Sequence, residues 1–160
     1  MIFKHTWIIF IAITIANGLI LKYRSKKHII QNPELEDGYN KYFWGWLFFA
    51  NVAWIIMMIG NLSGMTKNTV EYFNPQAMNP IVLIFYFSII VIYLLGIRWI
   101  YFMNGAEFIE SHPGLVQKSS YGGGTNVTAK QVKLYFAIML LGGILGMVFI
   151  WNIDLSPPQF

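Results

Sequence analysis

The chain has 160 residues, 56% hydrophobic and 18% aromatic, with only 11% charged and a formal net charge of +4. A soluble domain would carry roughly a quarter of its residues as Asp, Glu, Lys or Arg, so a mean hydropathy of +0.53 points to a chain covered by lipid. Disorder and nucleic-acid binding are excluded as primary roles, and zero cysteines exclude disulfides, thiol catalysis and Cys-ligated zinc, iron–sulfur or c-type haem.

A bilayer core about 30 Å thick takes about 20 apolar residues in a helix, whose ladder satisfies every backbone amide internally. Four segments of the sequence meet that length, at about 3–21, 42–62, 81–102 and 132–151, which predicts an all-α integral membrane fold in one four-span domain. The first span ends in the basic run Lys22, Arg24, Lys26 and Lys27, the pattern of a stop-transfer boundary, and is read as a retained anchor rather than a signal peptide. His5, at its other end, stands alone.

The connector after the first span carries Asn32 and Pro33, a helix-start signal, followed by Glu34, Glu36 and Asp37, which suit the positive end of a helix. These acids with His28 read as helix-capping charge. Leu35, Tyr39, Tyr42, Phe43 and Trp46 then recur at helical spacing and predict an apolar stripe running onto the second span, with a bend at Gly38. Segment 65–79 is short and polar and contains Pro75. Asn61 and Asn126 head sequences that match the glycosylation sequon by chance, given their expected positions.

Pro80 fits the first turn of the third span and Thr128 the N-cap of the fourth. Between them, the segment 103–115 predicts a short interfacial helix ended by Pro113 and Gly114, and 117–126 reads as a linker. Glu107 and Glu110 share a helix face near His112, so a divalent-metal site and a membrane-interface enzyme built on it are one alternative. The spacing matches no established metal motif, and a solvated helix is the simpler expectation. No metal, cofactor or catalytic residue is assigned.

With four spans, the first and third connectors share a side. Lys22, Arg24, Lys26, Lys27, Lys41, Lys118, Lys130 and Lys133 fall there, with Arg98 close by, against Lys4 and Lys67 opposite. The positive-inside rule makes the basic side cytoplasmic and both termini external. Tyr42, Trp44, Trp46, Trp99, Tyr101 and Tyr135 mark the inner interface and Trp7, Tyr72 and Trp151 the outer one; Trp54 falls near mid-span. Lys22, Arg24, Lys26, Lys27 and Arg98 are the candidates for holding lipid headgroups.

No acidic or basic side chain lies at a midplane, which disfavours an ion pump or proton-coupled carrier and leaves a homo-oligomeric pore or small transporter as the other alternative. Small residues recur at helix-packing spacing: Ala12 and Ala16, Gly60 and Gly64, Gly142 and Gly146. Asn17, Asn51 and Ser88 are candidate interhelical ties. The expected role is therefore a non-catalytic scaffold, accessory subunit or self-assembling component, whose partners are membrane lipids and either a second copy or another membrane protein.

Overall fold

The structure is a computed structural model and describes residues 5–116 and 127–153. Every regular element among them is helical. Four helical stretches, Thr6–Gln31, Pro33–Leu62, Pro80–Phe102 and Ala129–Asn152, are long and apolar enough to cross a membrane. The expected linker at 117–126 lies outside the described residues.

Helix α1 (Thr6–Gln31) runs well past the end expected at Leu21 and carries the whole basic run. Lys and Arg are good helix formers, so charge ends the apolar stretch without ending the backbone ladder. The helix stops at Asn32, where the chain turns extended and the Asn32 side chain accepts from the Glu34 amide at 3.3 Å. Pro33 follows in a 3₁₀ turn, Pro33–Leu35, that leads into α2 (Glu36–Leu62). Gly38 does not interrupt α2, which is continuous through it.

Helix α2 ends at Ser63, and Gly64 follows with φ +75, a left-handed residue at the position where glycine stops helices. The segment to Asn79 folds into two 3₁₀ turns, Thr69–Phe73 and Pro75–Ala77. Asn79 then caps α3 (Pro80–Ile97), its side chain accepting from the Ile81 amide, with Pro80 in the first turn. A π-helical turn, Arg98–Phe102, closes α3. The chain reverses through left-handed Asn104 into α4 (Gly105–Ser111). A methyl on Gly105 would stand 2.7 Å from the Trp99 carbonyl oxygen, so only glycine fits this reversal. Helix α5 (Ala129–Asn152) opens with a capping box in which Thr128 and Gln131 satisfy each other's amides.

Burial is concentrated at the two ends of the molecule. At the basic end Leu21, Tyr39, Phe43, Ile100, Ile109 and Val132 belong to one cluster; at the other, Met57, Tyr72, Val82, Phe85 and Tyr86 belong to a second. Tyr72, expected at an outer interface, is instead 1% exposed. Its ring meets Phe85 edge-on with centroids 5.1 Å apart, and its hydroxyl donates to the Met57 carbonyl at 3.3 Å beside the buried Thr66–Asn61 pair. The polar segment thus inserts a plug, because an aromatic hydroxyl can be buried once it has an acceptor.

The expected ties Asn17, Asn51 and Ser88 do not join helices. Asn51 and Ser88 bond to the carbonyls of Leu47 and Phe85 on their own helices, and Asn17 is exposed. Short polar groups reach their own backbone most easily. Longer aromatic side chains span the gaps: Tyr39 to the Pro113 carbonyl at 2.7 Å, Tyr86 to that of Tyr72 at 2.8 Å, Tyr101 to that of Lys133 at 2.8 Å, and the Trp46 indole to that of Thr14 at 3.4 Å.

Candidate functional site

The residues singled out by sequence fall into three places: the α4 corner at the basic end, the groove between α1 and α2, and the glycine face of α5. At the corner, α4 lies against α2 and α5 and seats His112 at its C-terminus. His112 is 8% exposed. Its ring stacks on Phe108 at 4.0 Å and meets Tyr39 edge-on at 5.1 Å, while Nδ1 lies 2.8 Å from the Phe108 carbonyl. A carbonyl only accepts, so Nδ1 carries the proton and donates. The other nitrogen, Nε2, points at Gly38, where any side chain would collide with it. Gly38 therefore makes room for an imidazole.

The two carboxylates turn elsewhere. Glu107 pairs with Lys133 at 2.7 Å, and that hydrogen bond holds its carboxyl below the ordinary carboxylate value. Glu110 accepts from the Ala129 amide at 3.1 Å, a free donor of the first turn of α5. Glu107, Glu110 and His112 thus have three separate partners. Among the described residues no group of three His, Asp or Glu side chains is placed to hold a metal. His28 faces Gly114 rather than the acids Glu34, Glu36 and Asp37. Asp37 pairs with Lys41 at 2.6 Å on the exposed face.

Of the basic residues, Lys22 and Lys26 line a cleft of about 320 Å³ between α1 and α2, while Arg24, Lys27 and Arg98 do not. The Lys22 ammonium sits 5.2 Å from the centre of the Phe43 ring. Thr14, Gly18, Leu21 and Ser25 form the buried stripe of α1, with Ser25 between the two lysines. Gly18 admits Leu47 and Phe43 to contact distance, whereas Ala12 and Ala16 face outward.

The glycines divide in the same way. Gly60 accommodates the Tyr72 hydroxyl, Gly96 the Phe136 ring and Gly143 the Tyr93 hydroxyl. Gly142 and Gly146 have nothing within 4 Å of an added methyl, and neither does Gly64. The contact glycine of α5 is thus the one between the two that the spacing picked out. Only Val132 and Leu140 are buried along α5. Spacing shows that small residues share a face but carries no information on which face meets a neighbour, so Gly18, Gly38 and Gly143 gave no signal in the sequence.

Compared with known proteins, the chain matches no family model, no curated protein and no solved structure.

Proposed function

We propose that this is a multi-pass protein of the cytoplasmic membrane with both termini outside, acting without catalysis as a scaffold, accessory subunit or self-assembling component. The observation that carries the assembly reading is the open face of α5. Among the described residues nothing lies within 4 Å of a methyl added at Gly142 or Gly146, and exposed Ile138, Leu141, Leu145 and Phe149 flank them. In lipid such a face lets a second helix approach closely. The membrane setting is supported by the four long apolar helices and their outward-facing side chains, and the sidedness by the basic residues gathered at one end.

Native mass measurement from lipid nanodiscs tests this. The wild-type protein is expected as more than one copy or with a co-purifying membrane protein. Gly142→Leu with Gly146→Leu is expected to weaken that association by about tenfold, about 1.4 kcal/mol. A wild-type monomer with no companion contradicts the assembly role.

A further inference from the structure

We propose that the cleft between α1 and α2 is a binding site for one anionic phospholipid, with its phosphodiester on Lys22 and Lys26 and its acyl chains running down the apolar wall below. This rests on the membrane placement proposed above and deepens it. The two lysines are one helical turn apart, so their side chains leave α1 on the same face. Both are exposed, and each has its stem against the cleft. Leu21 and Phe43 form the wall on the side toward the long apolar stretch, and Ile29, Ile30, Glu36 and Asn40 close the opposite rim. On the side toward the long apolar stretch the cleft thus passes from the Leu21–Phe43 wall to the two lysines, as a lipid passes from chain to phosphate.

Charge selects among headgroups. Two lysines against one glutamate leave the cleft lining with a single net positive charge. A zwitterionic choline head brings no net charge and has no hydrogen-bond donor for Glu36. A phosphatidylglycerol head brings one negative charge and two hydroxyls, which can donate to the Glu36 carboxylate and the Asn40 carbonyl. The Phe43 ring, which lines the cleft, holds the Lys22 ammonium beside it by cation–π attraction.

The test is native mass spectrometry of the purified full-length protein, delipidated in detergent and then offered phosphatidylglycerol or phosphatidylcholine of equal chain length. One phosphatidylglycerol is expected to be retained about tenfold more than phosphatidylcholine. Lys22→Ala with Lys26→Ala is expected to abolish that preference, Lys27→Ala to leave it, and Glu36→Gln to raise phosphatidylglycerol retention. Equal retention of the two lipids, or a preference that survives the double lysine variant, overturns the site. So does displacement of the lipid by millimolar glycerol phosphate, which would make the occupant a free anion. Alkaline carbonate extraction of the same variants separates the two claims: a protein released from membranes refutes the membrane placement, whereas one retained without headgroup preference refutes the cleft alone.

Discussion

Gly38 and His112 are far apart in sequence yet behave as one unit. The imidazole fills the space that a side chain at 38 would need, and its proton is held by the Phe108 carbonyl. Overpacking a filled site costs about 1–3 kcal/mol, so Gly38→Ala is expected to lower thermal stability in detergent by an amount in that range. Adding His112→Ala should recover part of the loss, because the second change removes the colliding ring. Additive losses in the double variant would show that the two positions do not share a contact. Nothing in the local sequence marks this pair: a lone glycine four residues before a Tyr-Phe-Trp run reads as a helix weakness, and only the docking of α4 turns it into a socket. Tyr72 makes the same point from the opposite end. Burial pushes its phenol above the ordinary value, so it remains a hydroxyl donor to Met57 and plugs Gly60 in a segment whose composition reads as solvent-facing.

The elements themselves were largely legible. Asn32 and Thr128 are N-caps whose side chains accept from the first-turn amides, and Pro33 and Pro80 sit in the first turn, where a missing N–H costs nothing; the Asn79 cap ahead of Pro80 came from the structure alone. The short helix ahead of Pro113 is α4. What composition could not place was the end of α1, since lysine and arginine continue a helix after the apolar stretch has finished. Nor could it place the π turn at Arg98–Phe102, whose extra residue aims the chain at α4.

Two predictions belong to element contacts. Helix α3 meets α5 where the Tyr93 hydroxyl lies over Gly143, so Gly143→Ala should destabilise the fold and Tyr93→Phe should relieve it, while Gly142→Ala should leave thermal stability unchanged. Equal effects at 142 and 143 would contradict the orientation of α5. Helix α4 is tied to α5 by Glu107 and Lys133, and the hydrogen bond from Lys133 lowers the Glu107 pKa below its ordinary 4.5. A carboxyl with a depressed folded-state pKa contributes its full stability above the ordinary value and loses it as pH falls through the lowered one. Carboxyl titration by NMR should therefore find Glu107 below the ordinary carboxylate midpoint in the wild type and restored toward it in Lys133→Ala. A wild-type midpoint at or above the ordinary value would dissolve the tie. Both groups are partly exposed, so salt should weaken the effect.

At the scale of the molecule, the chain buries its side chains at two end clusters and turns the flanks of its long helices outward with apolar groups such as Ile13, Phe48, Phe87 and Leu145. Such a surface suits hydrocarbon better than water. Everything proposed for the protein, from the open face of α5 to the lipid cleft, depends on the four helices crossing a bilayer with the basic end inside. Cysteine labelling tests this most directly, since the sequence has no cysteine to interfere. Lys27, Lys67 and Asn152 are all exposed, unlike Thr69, which is 4% exposed and unsuited to a label. In intact cells, an impermeant thiol reagent should label Lys67→Cys and Asn152→Cys and should reach Lys27→Cys only after the membrane is opened. Labelling of Lys27→Cys in intact cells would contradict the account.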